Sequence, residues 1–175
     1  MWFGDKLFHP HYAGHRNYNN IHMNDILEYD FMKDINLFWY KRVFIPLNLN
    51  SYHWTMAEIN IEKNQITYFD SLKHTNDTIG NNILKGLLYF VMKTYERSRL
   101  KYPEFFRDKP DELDPTTWSL EYGYSPKQQN GYDCGIHVLM NMYFLSVDLP
   151  LIHHDRDMEA YRKRIAFCVM NNGFY

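Results

Sequence analysis

The chain has 175 residues, of which 45% are hydrophobic and 18% aromatic, and its formal net charge is −2 at pH 7. These values favour one folded domain over 1–175 and exclude both a disordered chain and the basic surface of a nucleic-acid-binding protein. No apolar run reaches the roughly 18 residues of a membrane-spanning helix, and the N-terminus lacks an apolar signal core. With only two cysteines, we expect a reducing compartment, the cytoplasm or nucleus (of a host cell for a pathogen effector).

Four histidines lie close together near the N-terminus, at His9, His11, His15 and His22, among glycine, asparagine and proline. Such a group could bind a metal ion, but no cysteine or clustered carboxylate supports it. We therefore predict a solvated loop here and no metal site.

The centre of the chain has the pattern of β-strands. A short apolar run covers 42–49, and two further runs at 53–61 and 65–71 flank the polar turn "EKN". This arrangement predicts a β-hairpin, although the turn is not of the favoured Asn-Gly type. A fourth strand is predicted at 118–124.

Three helices are predicted around these strands. Apolar residues recur at helical spacing from Thr78, with Thr78 or Asp77 as N-cap, and a proline-rich surface connection is expected over 101–118. The run 134–147 is apolar nearly all round and predicts a buried helix. A last amphipathic helix, ending near Asn172, has the apolar positions Met158, Tyr161, Ile165, Cys168 and Val169.

Cys134 lies where a polar turn meets the second predicted helix. A helix N-terminus stabilises a thiolate, which is the nucleophilic form of cysteine. Gly131 and Gly135 leave room for a substrate backbone to approach. The same position also suits an inert core cysteine, the commoner role of a free thiol. Cys168, on the apolar side of the last helix, is expected to be such a core residue.

A base and an orienting acid lie on the predicted hairpin. His53 opens its first strand and Asp70 closes its second, so the turn brings them together. A carboxylate beside an imidazole fixes its orientation and stabilises its charged form. Gln128 lies six residues before Cys134, and its amide could donate to an oxyanion together with the Cys134 N–H. In isolation, a strand-end His, a turn Asp and a loop Gln are more often structural or solvated residues.

The stretches "VFIPLNLNSYHWTMAEINIEKNQITYFDSL" and "QQNGYDCGIHVL" resemble the ubiquitin-like-protein-specific cysteine proteases of the SUMO (sentrin) type. The family has His-Trp, then Tyr-x-Asp-Ser with the Asp seventeen residues after the His, and then Gln followed by Asn-Gly-x-Asp-Cys-Gly; His53, Asp70, Gln128 and Cys134 match these spacings. The resemblance covers roughly 38–172, including "DMEAYRKRIAF".

This resemblance implies an α+β, papain-like fold with a central mixed β-sheet flanked by helices. It implies His53 as the base, Asp70 as the orienting acid, Cys134 as the nucleophile and Gln128 in the oxyanion hole. Trp54 matches the tryptophan that closes over the Gly-Gly tail of the substrate. The roles implied for the remaining matches are structural, core packing for Trp118 and loop shape for Gly131, Asp133 and Gly135.

The function implied is cleavage after the C-terminal Gly-Gly of SUMO or a related ubiquitin-like modifier, by a monomer that needs no metal or other cofactor. The family's Trp-Leu-x-Asp motif has no match before His53, so we expect the N-terminal family helix to be absent. Three alternatives stay open: a deubiquitinase of the same fold, an acetyltransferase effector with the same triad geometry, and a module that binds the modifier without cutting it.

Overall fold

The computed structural model describes residues 36–49, 52–72 and 78–171. Its centre is one sheet of four strands, in the order β1-β2-β3-β4. Strands β1 to β3 are antiparallel neighbours, whereas β4 is parallel to β3. The strands are β1 (Arg42–Leu49), β2 (His53–Asn60), β3 (Gln65–Phe69) and β4 (Ser119–Tyr122). The mixed sheet predicted from the sequence is confirmed.

The predicted hairpin is formed by β2 and β3. The turn between them includes Asn64 in the left-handed region at φ 50°, which asparagine tolerates better than most residues. The side chain of Asn60 accepts a hydrogen bond from the Lys63 N–H at 3.1 Å and stabilises the turn. The register pairs Met56 with Phe69, so the end of β3 returns toward the start of β2.

Three α-helices pack around the sheet: α1 (Thr78–Lys101), α2 (Cys134–Ser146) and α3 (Met158–Met170). Successive strand residues Met56 and Ala57 point to opposite faces and belong to two different apolar clusters. The cluster with Ala57 contains α1 residues, and the cluster with Met56 contains Val138 of α2. Helices α1 and α2 therefore cover opposite faces of the sheet, which confirms the α+β prediction.

Helix α2 differs from its prediction, because it is not buried all round. Its buried residues include Cys134 and Val138, but Leu139 is 42% and Tyr143 37% exposed. The helix packs against β2 on one side and α3 on another, and a third face remains outside these contacts. Val169 of α3 was also expected on an apolar packed face and is instead exposed.

The connection over 101–118 is not wholly a surface segment. Phe106 is buried, and its ring meets Phe38 and Tyr95 edge-on at centroid distances of 5.8 and 5.1 Å. Helix α1 continues to Lys101, with Ser98 on its buried face, and ends before Pro103.

Two observations concern membranes and metals. Within the described ranges, none of the helices combines the length and apolarity needed to cross a bilayer. The same part of the chain contains no group of three or more metal-ligating side chains. The histidines at 9–22 lie outside the described residues, so their predicted solvated loop stays a prediction.

Candidate active site

Cys134 is the first residue of α2, as the sequence predicted. Its thiol is free and its side chain is buried. Asp133 precedes the helix in a non-helical conformation, with φ −89° and ψ 0°. The sulfur therefore lies at the positive end of the helix dipole, where a negative charge is stabilised.

His53 and Asp70 are in direct contact. The His53 Nε2 lies 2.9 Å from Asp70 Oδ1, and both side chains are mostly shielded from solvent. Asp70 Oδ1 also accepts the Leu72 N–H at 2.8 Å, while the Tyr68 hydroxyl donates to Oδ2 at 3.4 Å. These bonds fix the carboxylate, so the imidazole has one preferred orientation. Because Nε2 faces Asp70, Nδ1 is left for the thiol of Cys134.

The protonation equilibrium of His53 reflects both partners. Burial lowers the pKa of His53, but hydrogen bonds and charge interactions with Asp70 and with Cys134 outweigh it. The net result is a pKa raised above the ordinary value for histidine. An imidazole between a carboxylate and a thiol is thus suited to hold the thiol proton.

Gln128 is buried beside the turn that follows β3. Its Oε1 accepts the Ser71 hydroxyl at 2.6 Å, and its Nε2 donates to the Asn130 carbonyl at 2.6 Å. Its backbone N–H donates to the Ser71 carbonyl at 3.0 Å. A primary amide carries two N–H groups, so the second one remains for a substrate oxygen. Ser71 directly follows Asp70, and this turn therefore positions two candidate site residues.

The loop before Cys134 is held by a polar network around Asp133. Asn130 donates to Asp133 Oδ2 at 2.6 Å and accepts the backbone N–H of Tyr132 and of Asp133. Arg162, on α3, donates from Nε to Asp133 Oδ1 at 3.0 Å. Burial raises the pKa of Asp133, but the bonds from Asn130 and Arg162 outweigh it and lower that pKa overall.

Three residues of this network were not predicted from the sequence: Ser71, Asn130 and Arg162. Ser71 and Asn130 lie inside the quoted motifs, where a position-by-position reading could have flagged them. Arg162 lies in the charged run "YRKR", which has the pattern of a solvated helix face.

The two glycines beside Cys134 leave open space. A Cβ built on Gly131 would meet no atom within 4 Å, and one on Gly135 would only touch Trp54 at 3.7 Å. Neither glycine has a positive φ. A left-handed backbone therefore does not account for either glycine.

Trp54 borders a groove at the start of α2. The groove has a volume of about 360 Å³ and is lined by Trp54 together with Tyr132, Gly135, Leu139 and Arg162, among others. Trp118, by contrast, is buried in the apolar cluster beneath α1. Trp54 therefore lies beside the candidate site and Trp118 in the core, and the substrate contact expected of Trp54 stays a prediction. Most of the stretch before His53, in which a Trp-Leu-x-Asp helix was expected to be absent, lies outside the described residues, which begin at 36.

Comparison with known proteins identifies the family of this chain. Residues 10–171 match the C-terminal catalytic domain of the Ulp1 protease family. The match begins nearer the N-terminus than the 38–172 expected from the motifs. Ubiquitin-like-specific protease 1 of Saccharomyces cerevisiae is 34% identical over 131 residues, covering 75% of this chain and 19% of that protein. Putative ubiquitin-like-specific protease 1B of Arabidopsis thaliana is 30% identical over 125 residues, covering 71% of this chain and 33% of that protein.

Solved structures agree with this result. The C-terminal Ulp1 protease domain in complex with Smt3, the yeast ortholog of SUMO, superposes with a TM-score of 0.76 at 25% identity, covering 100% of this chain and 69% of that one. The SUMO protease Ulp1 with its catalytic cysteine oxidized to a sulfenic acid gives a TM-score of 0.75 at 26% identity, covering 100% and 70%. The fold predicted from the motifs is confirmed, although the chain spans only 19% and 33% of the two curated relatives. The chain belongs to the Ulp1 protease family.

Proposed function

We propose that the protein is a cysteine peptidase and isopeptidase that cleaves after the C-terminal Gly-Gly of SUMO or a related ubiquitin-like modifier. One observation carries the proposal: His53 contacts Asp70 through Nε2 at 2.9 Å, and its pKa is raised by Asp70 and by Cys134, which begins a helix. Base, orienting acid and nucleophile are thus in mutual reach, which is the geometry that covalent acyl transfer requires.

The reaction follows from this geometry. His53 takes the thiol proton, and the Cys134 sulfur attacks the carbonyl carbon of the terminal glycine. The Gln128 amide and the Cys134 N–H donate to the oxyanion that forms. His53 then gives its proton to the leaving lysine amine as the C–N bond breaks, leaving a thioester. Water, deprotonated by His53, hydrolyses the thioester and restores the free thiol.

The groove beside Trp54 and the related proteases support the substrate class. A Gly-Gly tail has no side chains, which suits the narrow groove that Trp54 and Gly135 line. A related Ulp1 protease domain has been solved in complex with the yeast SUMO ortholog. We further propose a monomer acting in the cytoplasm or nucleus, without a metal or organic cofactor, a nucleic acid or a membrane partner.

A panel of modifier probes with a thiol-reactive group at the C-terminus tests the function. We expect SUMO-type probes ending in Gly-Gly to label Cys134, and labelling to vanish when the penultimate Gly is replaced by Leu. Cys134→Ser is the matched control, since it keeps the fold and removes the thiol. Labelling only by ubiquitin-type probes would indicate a deubiquitinase. Acetyl transfer from acetyl-CoA without any Gly-Gly cleavage, or modifier binding without labelling, would refute the proposal.

A further inference from the structure

Asp155 lies outside the candidate triad and contacts the loop that carries Gln128. It begins the short 3-10 turn Asp155–Asp157 that leads into α3. Its Oδ1 accepts the backbone N–H of Gln129 at 3.0 Å. Gln129 directly follows Gln128, so this bond fixes the peptide next to the proposed oxyanion donor.

The same carboxylate oxygen also faces the buried side of α2. The Nε2 of His137 lies 3.6 Å from Asp155 Oδ1. His137 is fully buried, three residues after Cys134 on the helix, and its Nε2 has no closer polar partner among the described residues. Asp155 therefore lies between the loop of Gln128 and the helix of Cys134.

A second buried histidine determines which ring nitrogen of His137 carries the hydrogen. His153 Nε2 lies 3.3 Å from His137 Nδ1, and both rings are buried. If His137 donated to His153, its Nε2 lone pair would face the carboxylate and be repelled. If His153 donates instead, the His137 Nε2 carries its hydrogen toward Asp155. We assign this second arrangement, because both contacts of His137, with His153 and with Asp155, are then attractive.

We propose that Asp155 is a positioning residue that holds the Gln128 loop in place against α2, so that the Gln128 amide and the Cys134 N–H converge on one substrate oxygen. This inference rests on the oxyanion role proposed for Gln128. The bonds of Gln128 to Ser71 and Asn130 join it to the β3 turn and to its own loop. Asp155 adds a contact that reaches the helix of the nucleophile.

Asp155→Ala is expected to lower kcat about 10- to 100-fold, since the amide is displaced rather than deleted. KM should change little, because an interaction made in the transition state is lost. Asp155→Asn keeps a neutral acceptor for the Gln129 N–H and should recover most of the rate. Asp157→Ala is the matched control, because it removes an acidic residue from the same turn. Asp157 forms an ion pair with Arg156 at 3.9 Å. Activity should stay unchanged in this variant.

A double-mutant cycle with Gln128→Ala separates positioning from general damage to the fold. If Asp155 acts through Gln128, the double variant should be about as slow as Gln128→Ala alone. Additive losses, or a normal kcat in Asp155→Ala beside a slow Gln128→Ala, would overturn the inference but not the proposed function. A normal kcat in Gln128→Ala would overturn the oxyanion role and this inference with it.

The Asp155 side chain is 22% exposed, so its truncation opens no cavity deep in the core. Thermal melts will check that the variants are folded. If Asp155→Ala proves too unstable to assay, Asp155→Glu provides the second test, because it keeps the charge and moves the carboxylate by one methylene. A lower kcat at unchanged KM in Asp155→Glu supports the proposal, and an unchanged kcat contradicts it.

Discussion

Replacing Asp70 by asparagine removes the charge beside His53 with almost no change in shape. The structure makes a specific prediction, because Asp70 Oδ1 accepts from both His53 Nε2 and the Leu72 N–H. In the variant, the Leu72 N–H requires the amide oxygen, not the NH₂ group, at that position. His53 therefore keeps its donor at Nε2 and its tautomer. The Tyr68 hydroxyl, 3.4 Å from Oδ2, can rotate to accept from the new NH₂ group.

The expected loss follows from the charge alone. A hydrogen bond to a charged group contributes about 1.5–3 kcal/mol and a neutral one about 1 kcal/mol, so the imidazolium loses roughly 0.5–2 kcal/mol. The pKa of His53 therefore falls in the variant, and kcat/KM is expected to fall about 2- to 30-fold. An asparagine that forces the wrong tautomer costs about 10⁴-fold in serine proteases, which the Leu72 contact should prevent here.

The assay is hydrolysis of a fluorogenic Gly-Gly substrate, with NMR titration of the His53 ring. Asp148→Asn is the matched control, since Asp148 is exposed and pairs with Arg42 away from the site. A loss near 10⁴-fold would show that the amide flips and that Leu72 does not hold it. Unchanged activity would show that Asp70 does not orient His53.

The stability of the folded state should show the same interaction. The pKa of His53 is raised in the fold, so the protonated form is favoured there. The resulting stability is fully present below the ordinary histidine pKa of about 6.5 and is lost as pH rises through the higher folded value. Asp70→Asn should therefore lower the melting temperature more at pH 5.5 than at pH 8.5. Equal lowering at both values would contradict the raised pKa.

Four further predictions concern other residues of the site. Cys134 should be alkylated by iodoacetamide much faster than Cys168 near neutral pH, although both are buried, because Cys134 has a base and a helix start beside it; equal labelling on peptide mapping would contradict this. Gln128→Ala should lower kcat by about 10²–10³, the usual effect of losing one oxyanion donor; a normal kcat in stopped-flow assays would remove Gln128 from the oxyanion hole. Trp54→Ala should raise KM for modifier substrates more than it lowers kcat, and the reverse pattern would assign Trp54 to the chemical step. Arg162→Met should lower the melting temperature and the rate together, because the buried Asp133 loses its cation; unchanged values in both calorimetry and kinetics would show that the Asp133 network is dispensable.

Much of the fold and the placement of His53, Asp70 and Cys134 could be predicted from the sequence, because the relevant information is local. Strand periodicity and a short polar turn fix a hairpin, and a hairpin brings the start of one strand beside the end of the next. The contact of His53 with Asp70 follows from this connection. A polar turn followed by an apolar run predicts where α2 begins, and therefore that Cys134 lies at a helix start.

The residues that hold the site depend on contacts between segments distant in the chain. Asp155 and Arg162 reach the Cys134 loop because α3 packs against α2. In the sequence, both lie in charged runs typical of a solvated surface. The sequence likewise could not show which face of α2 stays exposed. An apolar side chain is buried only where another element covers it, and a charged one is buried only where partners compensate its lost hydration. Both conditions are set by tertiary packing.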